Sequence, residues 1–384
     1  MPKVEDYPRF SDVEMTDRHT KLQKFMEETK VEALLVFGFG RFTTDVFWLT
    51  DWPGGREAYV LFQKDQPPVV ILQLYNHVPM ARVLSVISDV RWAGANTART
   101  ISELLVDRQL RGSRIGLVGS IPYRHHQQFT DAVGAESLVD VSGGFRSMRL
   151  VRSAEEIERL QLASHLTDDS MRAVENGLQI GMREWEIATL IEPAYLKKGG
   201  YAGIHFMTSM PMDKPNFPVP AQYQSDRKLC AGDVLITEIS GAYWGYSGQI
   251  HRTYSLDREP TSAWANLHGV AVDAFEAIVG LIKEGITSRE VEEVADLIHQ
   301  RGFMVYDDLL HGVSQTPPII QTSIGRRHEN NDLTFLENMV VTIQPNVITE
   351  DQRMGLQFGE TVVVGKNGCR SLNNYPREWI ICGS

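Results

Sequence analysis

Residues 1–150 alternate short apolar runs with stretches of helical spacing. Ala33-Leu34-Leu35-Val36-Phe37, Tyr59-Val60-Leu61-Phe62, Val69-Val70-Ile71-Leu72 and Ile115-Gly116-Leu117-Val118 each read as a buried strand. Thr20 to Lys30 and Ile101 to Leu110 read as helices, so the pattern is α/β, with strands covered by helices. Gly38-Phe39-Gly40 follows the first strand but lacks the third glycine of a dinucleotide loop, position 43 being Thr43. A plain turn is the better reading there.

The pattern changes near Val151-Arg152-Ser153. Ser153 suits a helix N-cap, with Glu155 and Glu156 at the positive end of the dipole. Ile157, Leu160, Ser164, Met171 and Val174 then mark one buried helical face that stops at Gly177. Further helices are predicted from Arg183 to Lys198, from Ser262 to Lys283, and from a Thr287-Ser288-Arg289-Glu290 capping box to Gly302. Strand-like runs at Val234–Thr237, Met339–Ile343 and Thr361–Val364 lie between and after them. The expectation is two domains: an α/β unit over 1–150 and an α+β unit over 154–384 built on a mostly antiparallel sheet.

Composition narrows the function classes. With 49 acids against 38 bases the net charge is −11, which disfavours polyanionic partners such as nucleic acid and an anionic membrane surface. No apolar run approaches the ~20 residues that span a bilayer. Met1-Pro2-Lys3-Val4-Glu5-Asp6 has no apolar signal core, so a cytoplasmic protein is expected. Cys230, Cys369 and Cys382 are odd in number and widely spaced, which reads as reduced thiols. His125-His126 reads as exposed polar surface of the first domain with no ligand partners nearby.

From Gly232-Asp233-Val234-Leu235-Ile236 onward the chain resembles a known family. Gly241, Gly245-Tyr246, Arg252-Thr253, His311-Gly312, Ile343-Gln344-Pro345 and Glu360-Thr361-Val362 follow in that family's order. Together they are similar to the pita-bread fold of prolidases, aminopeptidase P, methionine aminopeptidase and creatinase. Arg149 to Ile157 resembles the linker entering that domain, and the α/β unit fits the prolidase and creatinase branch. The resemblance implies a homodimer, with Asp51-Trp52-Pro53-Gly54-Gly55-Arg56 a candidate lid over a partner's pocket.

Peptidases of this family hold two divalent ions with two aspartates, a histidine and two glutamates. The resemblance places Glu238 at the first aspartate, Gln249 at the second, His311 at the histidine, Gln344 at the first glutamate and Gly359 at the last. Glu360 follows in place of the next acid, and Ala221 or Gln222 replaces a substrate-facing histidine. Glutamine keeps a carbonyl oxygen but no charge, and hard cations depend on carboxylate charge. A two-ion centre is therefore not expected, and no cofactor is assigned; one weak ion at Glu238, His311 and His251 stays open.

The expectation is a metal-independent hydrolase or lyase that cleaves a C–N bond of a small nitrogenous molecule, an amide, amidine or lactam, as in creatinase. His251 or His311 would be the acid/base, and Glu238 or Glu360 the orienter or carboxylate base. Phe206, Tyr243, Trp244, Tyr246, Gln249 and Gln344 are the candidate substrate-binding residues. Arg252 is expected to secure the fold through a buried acid. The alternatives are a non-catalytic binding protein on the same fold and, third, a metal-dependent Xaa-Pro dipeptidase.

Overall fold

The computed structural model describes residues 3–42, 45–313, 316–322 and 333–383; Met1, Pro2 and Thr43 of the sequence reading lie outside them. The chain divides into two compact units, Met1–Arg149 and Leu150–Ser384.

In the first unit, α1 (Asp12–Thr29) leads to β1 (Ala33–Gly38), α2 (Asp45–Thr50), β2 (Ala58–Gln63), β3 (Gln66–Leu72) and α3 (Val78–Leu84). It continues through β4 (Asp89–Trp92), α4 (Thr97–Asp107), β5 (Ile115–Val118), α5 (Tyr123–Val133), β6 (Leu138–Asp140) and α6 (Ser142–Met148). The sheet order is β4-β3-β2-β1-β5-β6, and its central strand β1 is buried at every residue. That is why β1 reads as an unbroken apolar run rather than an alternating one. The helix predicted from Thr20 starts earlier, because Ser11 caps it by accepting from the Glu14 amide. The lid candidate begins inward: Asp51 and Trp52 are buried, and Asp51 accepts a hydrogen bond from the Phe10 amide. Of the two histidines read as exposed, His126 is, whereas His125 is half-buried with its ring 2.7 Å from the hydroxyl of buried Tyr59.

The second unit opens with α7 (Ala154–Gly177), whose Ser153 and Glu156 form a reciprocal capping box. Then come α8 (Ala188–Leu196), β7 (Tyr201–Pro211), β8 (Asp233–Tyr243), β9 (Tyr246–Ser247), β10 (Ile250–Leu256) and α9 (Ser262–Leu281). Next are α10 (Ser288–Ala295), α11 (Leu297–Gln300), β11 (Met304–Val305), β12 (Leu310–Gly312), β13 (Thr316–Ile320) and β14 (Val340–Ile343). The last are β15 (Asn346–Ile348), β16 (Gly355–Gln357), β17 (Gly359–Val364), β18 (Cys369–Ser371) and β19 (Ile380–Cys382). The main sheet runs β13-β12-β14-β17-β10-β8-β7, and β11-β15-β16 form a small second sheet.

Two helices differ from the sequence reading. The stretch from Arg183 begins as a 3-10 turn, because Glu184 is drawn aside to accept hydrogen bonds from Ser209 and Ser225. The helix from Thr287 breaks after Ala295 into two short pieces, although its capping box forms as read.

The sheet lies between two apolar clusters. Leu166 and Met171 of α7 and Ile191 and Tyr195 of α8 pack with Leu235, Ile239, Ile250 and Tyr254. Trp264, Phe275 and Ile278 of α9 pack with Val234, Ile236, Val341 and Val362. The β9–β10 turn is set tightly on α7: a Cβ added at Gly248 would sit 2.4 Å from the Ser164 Cα. Gly248→Ala must therefore push the turn off the helix. It is expected to lower the stability of this unit by about 1–3 kcal/mol, read as an earlier urea midpoint at unchanged slope.

Candidate functional site

One row of side chains crosses the middle of the main sheet. Phe206 pairs in register with Glu238, Glu238 with His251, and His251 with Gly359. Directly opposed residues share a face, so Phe206, Glu238 and His251 stand side by side. Gln249, just before β10, reaches the same place and donates through Nε2 to Glu238 Oε1 at 2.7 Å. Its Nε2 is also 3.4 Å from His251 Nε2 and from Gln344 Oε1.

From the β12–β14 side come His311 and Gln344, whose ring Nε2 and amide Oε1 lie 3.1 Å apart. His311 Nδ1 lies 2.6 Å from the Gly312 carbonyl, to which it donates. The His311 pKa is lowered by burial, so the ring is neutral and carries a single N–H, leaving Nε2 as an acceptor.

Two acids that the sequence reading missed complete the group. Asp308 is buried and lies 3.3 Å from the Gln344 amide, and exposed Asp307 accepts from the Asp308 backbone amide at 2.9 Å. The signal was present as an adjacent acid pair three and four residues before His311. Gln357, two residues before Gly359, hydrogen-bonds Glu238 as well.

Burial sets the electrostatics. Glu238 is pushed up to about 7, first by desolvation and then by the charge on Asp307, against the hydrogen bonds from Gln249 and Gln357. Asp308 is pushed up to about 8 by desolvation and by Asp307. His251 lies well below its ordinary value through burial, with His311 and Arg252 adding to the effect. The groups that exchange a proton near neutrality are thus the two carboxyls rather than the two imidazoles.

Other candidate residues are placed elsewhere. Glu360 pairs with Ile250 rather than His251, so it points with Arg252, which it binds at 2.7 Å; Arg377 binds it at 2.6 Å. Those two guanidinium groups outweigh burial and hold its carboxyl below the usual range. It works as the buried acid that anchors Arg252. The Tyr246 hydroxyl donates to Glu156 at the cap of α7. Tyr243 and Trp244 sit at the β8–β9 hairpin, five and six residues along from Glu238. At ~3.4 Å per residue that is roughly 17 Å away, too far to share its pocket.

The five positions that the resemblance assigns to metal do not fit a two-ion centre. Gln249 turns amide hydrogens, not its oxygen, toward Glu238. A Cβ at Gly359 would lie 1.9 Å from the Ile343 carbonyl oxygen, so this backbone has no room for a fifth ligand side chain. Among the described residues no group of three His, Cys, Asp or Glu side chains is placed to hold an ion.

Comparison with known proteins fixes the family. Residues 18–151 match the Creatinase/Prolidase N-terminal domain, and residues 158–366, more than half the chain, match Metallopeptidase family M24. The chain belongs to metallopeptidase family M24. A Xaa-Pro dipeptidase of Pyrococcus furiosus is 23% identical over 368 residues, covering 95% of this chain and 99% of its own. A probable dipeptidase PepE of Mycobacterium tuberculosis is 28% identical over 287 residues, covering 72% and 73%. The prolidase structure from Pyrococcus horikoshii OT3 superposes with a TM-score of 0.81 at 21% identity, covering 95% of this chain and all of that one. Dipeptidase PepE from Mycobacterium ulcerans gives 0.81 at 23%, covering 98% and 100%. The architecture is the α/β unit followed by the pita-bread unit. These relatives overturn the expectation of a metal-independent enzyme for amides, amidines or lactams: the named relatives are dipeptidases and the family is one of metallopeptidases, so metal-independence is not carried into the functional reading. What is particular to this chain is that Gln249, Gln344 and Gly359 stand at three of the family's ligand positions.

The raised carboxyls link stability to pH. The native state keeps a proton on Glu238 that the unfolded chain releases near its ordinary value of 4.5, so stability is lost as pH rises from there through about 7. Glu238→Gln is expected to remove on the order of 2–3 kcal/mol of this loss. The check is denaturation of both proteins at pH 5 and pH 8, with the variant the more stable of the two at the higher pH.

Proposed function

We propose that the pita-bread unit binds a short peptide and hydrolyses its C–N bond, as a dipeptidase-type hydrolase. The observation that carries this reading is the end-to-end match to a Xaa-Pro dipeptidase, over 95% of this chain and 99% of the relative. The site suits the assignment chemically. Glu238 and Asp308 hold or release protons near neutral pH, the range in which a general acid or base is effective. Phe206 stands beside Glu238 as an apolar wall.

A second reading, peptide binding without turnover, is favoured by one observation. Gln249 and Gln344 close a neutral hydrogen-bonded lattice where the family resemblance places charged ligands.

The test is a panel of Xaa-Pro and other dipeptides incubated with the protein, with chelator and with added manganese or zinc, and read by mass spectrometry. Free amino acids above the Glu238→Ala background are expected. Saturable dipeptide binding with no products in any condition would replace the first reading with the second. Neither binding nor products would overturn both.

A further inference from the structure

A cavity of 330 Å³ lies between α9 and the segment that carries Arg377 and Glu378, within the ~300–1,000 Å³ typical of small-molecule sites. None of Glu238, His251, Asp307 or Asp308 is among its walls. Gly269 keeps it open. Glycine is a poor former of helix interiors, yet no neighbour demands one here: a Cβ added at Gly269 would meet no atom within 4 Å. Half-buried His268 stands beside it. Burial, and then the charge on Arg252, lowers its pKa to about 4, so the ring is neutral. The ring is nearly perpendicular to Phe358 and to Trp379, and neither nitrogen has a hydrogen-bond partner among the described residues. A neutral imidazole left in this way offers one donor and one acceptor.

The walls carry charge of both signs. Arg377 gives one N–H to Glu360 and lies over Phe275, 5.0 Å from the ring centroid. Its other N–H groups have no protein partner among the described residues, so a planar fork is left that can take a carboxylate. Asp273 is engaged by Arg301, whereas Glu276 and Glu378 have no ion pair among the described residues. A simple anion would meet these two carboxylates, and a simple cation would meet Arg377. A molecule that bears both a carboxylate and an ammonium answers both. Val272 adds an apolar wall on which a short side chain can pack.

We propose that this cavity is a second binding site and takes a free α-amino acid with a small apolar side chain, its carboxylate on Arg377, its ammonium on Glu276 and Glu378, and His268 completing the polar contacts. Such a site does not depend on the turnover of a peptide at Glu238.

The test measures the binding of L-valine, N-acetyl-L-valine and L-valinamide to the full-length protein by calorimetry. Blocking either end is expected to weaken binding by about tenfold or more, because each block removes a charge-assisted contact. Arg377 also anchors Glu360, so variants at Gly269 and Glu276 carry the test instead. Gly269→Leu fills the cavity and should weaken valine by at least about tenfold, with a melting temperature no lower than that of the wild type. Glu276→Gln should weaken valine by about tenfold and leave N-acetyl-L-valine within about twofold. Glu238→Gln should leave valine within about twofold. Equal affinity for the three ligands overturns the proposal, as does the absence of valine binding. Binding that Glu238→Gln abolishes and Gly269→Leu spares would also overturn it, and would put valine in the site on the main sheet.

Discussion

The hydrogen bond from Gln249 to Glu238, 2.7 Å long and buried, decides what this pocket is. An ionised carboxylate taken from water is costly unless it is paired with a cation or fully hydrogen-bonded. Here the partner is a neutral amide, so Glu238 answers the cost by holding its proton up to about 7. Asp308 does the same a short distance away. A pocket with two carboxyls in this condition is poised for proton exchange and short of positive charge.

The rest of the unit is arranged around that fact. β8 and β10 bring Glu238 and His251 into register, while the β9–β10 turn, locked on α7 through Gly248, aims Gln249 at them. Gly359 lets the backbones of Ile343 and Gln344 approach so closely that a side chain there would collide with them. The strong ion pairs nearby, Glu360 with Arg252 and with Arg377, centre on the other run of alternating side chains of β10 and β17. Carboxylate charge is therefore met by guanidinium groups where it supports the fold, whereas Glu238 in the pocket meets neutral amides and keeps its proton instead.

Much of this was legible from residues alone. Buried strands such as Ala33–Phe37 and caps such as Ser153 and Thr287 are local signals and need no tertiary knowledge. The amide substitutions at Gln249 and Gln344 could be placed by their order along the chain. Asp307 and Asp308 left one local signal, an acid pair just before His311, but nothing in the sequence ties them or Gln357 to Glu238; the folding together of distant segments does that. Glu360, read into the pocket from its place after the family's last ligand position, and Tyr246, read there as a lining aromatic, are carried by register and hydrogen bonding to Arg252 and Glu156 instead. The substrate class needed relatives, since the chemistry of a carboxyl beside an amide does not distinguish a peptide from another amide.

Elemental analysis tests the central claim most directly. The purified protein is soaked in excess manganese or zinc, desalted and measured by inductively coupled plasma mass spectrometry alongside Glu238→Gln. A pocket closed by neutral amides retains well under one ion per chain, and the variant retains no less than the wild type. Two ions per chain, lost on Glu238→Gln, would contradict the account.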